Sequence, residues 1–464
     1  MFQRNLLLGS AALALAACAS GPHYGAPPLA ASATGPFVAV ENSTLTTSGM
    51  PDNKWWRLYA DPVLDGLISD ALAANTDVRI AVARLAKARA MLREEGGARE
   101  PQIGVGGSAQ YGRLPGAAGT GRSDLQVNVG LDVAYEVDLF GRVDRRIEAA
   151  RGDVAASAAG ADAVRVAIVA ETTRAYADAV SSAERIAVAE RIVGLLDRSI
   201  SLTQRRHDVG LANGLDVARI SALRDQRRAE VPLLRAERQA ALFRLATLTG
   251  RAPRELPTEA ANRTTSLRLA KLIPVGDGAA LLARRPDIRA AERRLAAATA
   301  RIGVATADLY PRITLGGSAG SSSSSLGNVL SGNAISWLLG PLINWTVNRS
   351  AARARLAGAR ADTQAALATF DGTVLQALEE TETALSTYQQ TVARRDALRA
   401  ASEQAETAAR ITRARQREGD ISSLELLDAE RTAADTQAAL SEADARIASA
   451  QIDLFRALGG GWEA

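Results

Sequence analysis

Leu125-Gln126-Val127-Asn128-Val129-Gly130-Leu131-Asp132-Val133-Ala134-Tyr135-Glu136-Val137 is the stretch on which the fold turns. Every odd position is apolar, and the even positions are Gln, Asn, Gly, Asp, Ala and Glu. Strict period-2 alternation over this length marks an extended strand with one oily and one wet face. A strand needs about 9–11 tilted residues to cross a bilayer, so this one is long enough. A lone two-faced strand cannot sit in lipid, because its edge groups would go unsatisfied. In a membrane it belongs to a closed barrel with a polar lumen; the same alternation also suits a soluble amphipathic strand, since the signal per barrel strand is weak.

Working outward, the surroundings read as helix. Aromatics are only 4% of the 464 residues while Ala, Arg, Leu and Glu abound, which suits long helices packed closely through alanine. The 55 basic and 51 acidic residues are interspersed, so no stripe for nucleic acid exists. One cysteine and two histidines allow neither a disulfide framework nor a Cys/His metal cluster, and no metal or cofactor is expected. His23 and His207 are most simply solvated. No apolar run reaches the roughly 18 residues of a membrane-spanning helix.

Residues 1–17 carry Arg4, an apolar run from Leu6 and then small residues, the pattern of a secretory signal peptide. They end in Leu15-Ala16-Ala17-Cys18, which resembles the bacterial lipobox. Cleavage before Cys18 leaves a cysteine carrying an N-palmitoyl group and an S-diacylglycerol; a plain signal peptide with an incidental cysteine is the alternative. Ala19, a non-aspartate, suggests outer-membrane sorting. One lipid modification is a moderate anchor, usually joined by a second membrane contact. Residues 18–54, rich in Gly, Pro, Ala, Ser and Thr, read as an extended leader without a core.

A first structural unit spans 55–249. Asp61 and Pro62 open a helix expected to run to about Glu95 and to end at Gly96-Gly97. Strands follow at about 101–111 and 124–138, joined by a flexible loop. The next helix runs to about Asp208 without a proline; some 65 residues at 1.5 Å each reach roughly 100 Å, a length that suits a coiled coil or helical cylinder. A tip turn at about 208–215 leads to a helix ending near Thr249, in which Pro232 is expected to make a kink. Residues 250–276 read as a linker. The pattern then recurs over 277–460: strands at about 311–320 and 335–347, a long helix from about Ser350, a tip turn at about 417–423 and a last helix to near Leu458. Pro311-Arg312-Ile313-Thr314-Leu315-Gly316-Gly317-Ser318-Ala319 matches Pro101-Gln102-Ile103-Gly104-Val105-Gly106-Gly107-Ser108-Ala109, and 311 − 101 = 210. The tips agree as well, since 419 − 210 = 209. An internal duplication is the reading.

Four stretches, Trp55 to Leu64 (W-W-R-L-Y-A-D-P-V-L), Tyr135 to Val143 (Y-E-V-D-L-F-G-R-V), Arg284 to Glu292 (R-R-P-D-I-R-A-A-E) and Leu424 to Arg431 (L-E-L-L-D-A-E-R), stand in this order and spacing. By them the chain resembles the TolC/OprM-like outer-membrane efflux channels, in the NodT-type lipoprotein branch, over roughly residues 50 to 460. Ile343-Asn344-Trp345-Thr346-Val347 departs from the Asp-Gly-Gly type turn usual in that family. The resemblance implies a mostly helical protein with membrane strands. A homotrimer would close a 12-stranded outer-membrane β-barrel, since four strands per chain are too few and an even number near twelve is workable. A long periplasmic α-helical barrel continues it. The implied partners are a periplasmic adaptor, an inner-membrane RND pump and outer-membrane lipid. The implied function is passive conduction of small molecules such as drugs, with no enzymatic step.

The same resemblance assigns working residues. Gly210 and Gly419 mark the tips against which adaptor hairpins dock. Glu425 and Asp428, three apart on one helix face, ring the closed periplasmic aperture, and converging carboxylates of that kind favour cations. Leu424 and Leu427 are placed to form an apolar constriction, and Asp216 occupies the place of Glu425 in the first repeat (425 − 216 = 209). Asp132, Glu136 and Asp138, on the wet side of the strands, are expected to make the lumen negative. Two other readings stay open. A periplasmic coiled-coil adaptor lipoprotein requires compact lipoyl-like domains that the sequence lacks. A type I protein-secretion channel differs only in cargo. An enzyme finds no support: Gly104-Val105-Gly106-Gly107 lies within a strand rather than before a helix, so it is no phosphate loop.

Overall fold

The computed structural model describes residues 20–40, 44–47, 49–50, 52–113, 123–256, 258–269, 272–323, 327 and 335–460. Cys18 and the segment before it lie outside these residues. In chain order the main elements are α1 (Pro62–Ala74), α2 (Thr76–Gly97), β1 (Gln102–Arg113), β2 (Ser123–Val137), α3 (Arg142–Asp208), α4 (Gly214–Leu248), α5 (Gly278–Arg284), α6 (Pro286–Ala307), β3 (Arg312–Ser323), β4 (Ile335–Asn344), α7 (Ser350–Glu418) and α8 (Ser423–Ala457). The fold is mostly helical with one principal sheet. Two compact units emerge, one of residues 1–27, 83–158 and 289–372, the other of 28–82, 159–288 and 373–464. Between residues 82 and 373 each passage of the chain from one unit to the other falls within a helix.

The first unit holds an antiparallel sheet of order β1-β2-β3-β4. Its register places Val133 opposite Ile103 and Gly317, and Gly317 opposite Leu339. Because facing residues share a face, the odd positions of all strands form one surface: Ile103, Val105 and Tyr111 on β1, Val129 and Leu131 on β2, Ile335, Trp337 and Leu339 on β4, each exposed. The opposite surface is built from small and polar residues, among them Gly104, Ser108, Asn128, Asp132, Ser318 and Ser336. Two large apolar side chains, Leu338 and Leu342, interrupt it.

β4 stops at Asn344, three residues short of the expected 347, because its partner begins at Arg312, which faces Asn344. Trp345 then turns to donate its indole N–H to Leu309 O at 3.3 Å, and Asn348 Oδ1 accepts from Ser350 N at 3.2 Å to open α7. β3 in turn runs to Ser323, beyond the expected 320.

The second unit contains the main core. Trp55 is fully buried and stacks on Phe455, centroids 4.7 Å apart, and Tyr176, Leu64, Ile68 and Leu385 pack around them. Arg285, nine-tenths buried, donates to Ala457 O, Asp287 and Glu380 and so ties the start of α6 to α7 and to the end of α8. Asp61 caps α1 by accepting from Val63 N and Leu64 N, and it is held in turn by Tyr176 and Arg263.

Two expectations need correction. The single helix over 62–95 is two helices. Buried Asn75 ends α1, accepts from Asp77 N (2.8 Å) and Val78 N (3.3 Å) to open α2, and donates to Leu248 O at 3.0 Å. The leader is not coreless: Phe37 is 3% exposed in the main cluster, Glu382 accepts from Val38 N and Ala39 N, and Thr46–Thr47 pair in parallel with Ile273–Pro274. Of the three carboxylates expected to make a lumen negative, Glu136 is bound through both oxygens by Arg142 and Asp138 accepts from Asp144 N. Asp132 is exposed. Pro232, at an exposed position, is carried within α4 without ending it.

Candidate functional site

Both tips are built by one backbone device. α3 ends with Gly210 N bonded to His207 O and Leu211 N to Arg206 O, and Gly210 has φ +79°. α7 ends with Gly419 N bonded to Gln416 O and Asp420 N to Arg415 O, and Gly419 has φ +85°. Paired 5→2 and 6→1 bonds around a left-handed residue form a Schellman motif, and glycine takes that conformation without the Cβ penalty. Three residues on, each chain caps the next helix. Asn213 accepts from Asp216 N while Asp216 accepts from Asn213 N, a full capping box. Ser422 accepts from Glu425 N and donates to Glu425 Oε1 at 3.3 Å.

Thus Asp216 and Glu425 hold the third helical position of equivalent caps. Asp428 differs, for its exposed carboxylate makes no ion pair among the described residues. Leu424 is 57% exposed. Leu427 instead turns inward, against the cluster of Ile192, Leu196, Leu223 and Ala434, so the structure separates the two leucines. The first tip presents Val209, Leu211 and Leu215, all exposed. His207, also exposed, has Nδ1 3.0 Å from Ala212 O across the turn.

Behind the second tip lies a residue the sequence reading missed. Glu430 is 4% exposed and accepts from Arg413 Nε (2.5 Å), Arg413 Nη2 (3.0 Å) and Ser199 Oγ (3.1 Å). The bonds to Glu430 keep the Arg413 guanidinium charged, with its pKa above the usual value. One carboxylate therefore joins α3, α7 and α8. Arg206 adds a bond to Gln416 O at 2.6 Å, and Arg227 pairs with Asp435. The only signal was an acid on the inward side of α8, two residues beyond Asp428 in the same motif.

No metal-holding cluster exists among the described residues, and none of their helices is long and apolar enough to cross a membrane. What the geometry offers is a two-faced sheet at one place in the chain and paired helical tips at another. The model of the outer membrane efflux protein family matches residues 67–251 and 279–460. The chain belongs to that family. Outer membrane protein OprJ of Pseudomonas aeruginosa is 32% identical, over 97% of this chain and 95% of that protein. The probable outer membrane lipoprotein SilC of Salmonella typhimurium is 29% identical over the full length of both. Among solved structures, the outer-membrane channel OprN superimposes with a TM-score of 0.90 at 36% identity, covering 96% of this chain and 100% of that one. This outer membrane efflux protein is thus a channel protein of the outer membrane, and its family is one of conduits rather than enzymes.

Proposed function

We propose that the chain is one third of a homotrimeric conduit that receives small molecules from a periplasmic adaptor and an inner-membrane RND pump and releases them outside the cell. The sheet carries this reading. It has an apolar face, a small polar face and two edges, β1 and β4, that among the described residues pair with no further strand. Lipid tolerates no open edge, so β4 of one copy joins β1 of the next. Three copies then close an even-numbered barrel of about twelve strands, wide enough for water. The duplicated helices continue it as a periplasmic α-helical barrel.

In this assembly Gly210 and Gly419 seat the adaptor's hairpin tips, and the exposed apolar residues beside Gly210 add contact. Asp428, with Glu425 and Asp216 nearer the caps, rings the aperture. Leu424 narrows it, and Leu427 holds its helix in place from behind. Cys18 is the lipidated N-terminus, a reading supported by the lipobox and by the likeness to SilC. Cargo is selected by the pump, so drug efflux and protein secretion are not separated by this chain's residues. The test is the mass of the detergent-extracted native complex. About three times the 48.6 kDa chain, less its leader, is expected; a stable monomer that keeps its helices overturns the shared barrel.

A further inference from the structure

Within the first unit, residues 20–24 are held by specific contacts. Ser20 N donates to Phe140 O at 3.2 Å, just past the end of β2. The Arg145 side chain, 4% exposed, donates from Nε to Ser20 O (3.2 Å) and from Nη2 to Gly21 O (3.4 Å). The same Nη2 lies 3.4 Å from His23 Nδ1, and Nη1 binds Glu148 at 2.7 Å. A guanidinium this deeply buried is costly unless its donors are used, and here two of its bonds read leader backbone.

Glycines make the crossing possible. Gly21 has φ +93°, and a Cβ on it would lie 2.5 Å from Gly303 Cα. A Cβ on Gly303 would lie 2.7 Å from Arg145 Cγ and 2.8 Å from Ser20 O. Leader and α6 therefore touch backbone to backbone, under the arginine. Tyr24 fastens the next turn by donating to Glu292 at 3.0 Å. Burial and that hydrogen bond push its hydroxyl pKa up to about 12, so this latch holds its proton through any ordinary pH.

The level of this crossing matters. Phe140 stacks on Tyr310 with centroids 4.7 Å apart, and Trp345, 48% exposed, bonds Leu309 O. Aromatic residues with a polar end gather at membrane–water boundaries. Here they gather at the base of the strands, beside the residue that holds Ser20. Two peptide units place Cys18 Cα within about 8 Å of Ser20 Cα.

We propose that Arg145, Gly303 and Gly21 form an anchor-positioning clasp, which holds the leader so that the diacylglyceryl group on Cys18 enters the membrane at the strand base. It rests on the reading of Cys18 as lipidated. The clasp converts a loosely tethered lipid into a second fixed membrane contact, set in register with the barrel wall. Arg145 acts here as a positioning residue.

The experiment uses the full chain expressed in cells, as Gly21→Val and, from the opposite side, Gly303→Val, each with Cys18 intact and with Cys18→Ser. Gly21→Val alters only the leader and leaves every helix sequence intact. Expected are faster hydrogen exchange at residues 20–24 in both variants and a several-fold loss of assembled outer-membrane trimer when Cys18 is intact. With Cys18→Ser, the clasp variants should lower assembly no further than that substitution alone does. Equal losses in both backgrounds would show mere packing and overturn the proposal, as would unchanged exchange. The mass of the mature wild-type chain separates the two claims: without acyl additions the lipid reading itself fails, and the clasp role falls with it.

Discussion

The two tips share a backbone and its caps and differ in much of what is laid over them. Gly210 and Gly419 take the same left-handed conformation with the same pair of closing bonds. Beyond them the side chains diverge at the offset of 209. Leu211 in the first tip is Asp420 in the second, where it pairs with Arg415. Arg219 corresponds to Asp428, so one exposed position carries opposite charges. Ser221 corresponds to Glu430, so only the second tip has the buried carboxylate. The lesson concerns which constraint acts where. Helix ends must satisfy orphan amides and carbonyls, and few residues do so. The surface beyond obeys no such rule and is free to specialise, so the turn glycine is followed by an exposed leucine at one tip and an ion-paired aspartate at the other.

The strongest way to break this comparison is at Glu430. Glu430→Ala leaves Arg413 without its two bonds and Ser199 without an acceptor. Removing one partner of a buried pair costs about 3–5 kcal/mol, and the lower end applies because Arg413 is 28% exposed. Hydrogen exchange of the α7 and α8 amides near the tip should report that loss. The matching Ser221→Ala is expected to change local stability by less than about 0.5 kcal/mol. Equal losses at both sites would mean that the second tip has no special fastening.

Glu430 also shows what a sequence can and cannot reveal. The alternation from Leu125 to Val137 was readable because burial on one face of a strand imposes a period of two. The tip glycines were readable because few residues tolerate φ near +80°. Glu430, by contrast, reads like any acid on a helix; only packing brings Ser199, 231 residues away, to its side. Asn75 was hidden likewise, since its partner Leu248 O lies 173 residues on. Phe37 sat in a stretch whose composition suggested no core, while the groups that hold its neighbours, Glu382 and Gln389, lie over 340 residues away. The motifs that carried the resemblance proved to be packing hubs: Trp55, Glu136, Arg285 and Glu430 each have buried partners. Of the residues assigned to the aperture, Asp428 alone combines exposure with a carboxylate that neither caps a helix nor pairs.

Asp428 and Arg219 sharpen the comparison at the level of conduction. If the second tip lines the aperture, Asp428→Ala should raise the closed-state conductance of the trimer in planar bilayers several-fold and weaken its preference for cations. Arg219→Ala should leave both within error. The charge swap Asp428→Arg should turn the preference toward anions. A trimer whose selectivity ignores residue 428 and follows residue 219 would put the first tip at the axis and reverse the assignment.

The smallest expected difference is in the caps, and it is the most direct measure of how alike the two backbones are. Asn213→Ala removes the acceptor for Asp216 N and leaves the bond from the backbone N–H of residue 213 to the Asp216 carboxylate in place. Ser422→Ala removes one acceptor and one weak contact to Glu425. Each should cost about 1 kcal/mol, because each removes the one side-chain acceptor of the cap. The readout is local, because a loss this small disappears in the melting of helices of 35 residues or more. Hydrogen exchange at Asp216 N and Glu425 N isolates it, since each amide donates to the very side chain removed. Protection lost at one tip and kept at the other would mean that the shared backbone is held by different means, by its own cap at one end and by the packing behind Glu430 at the other.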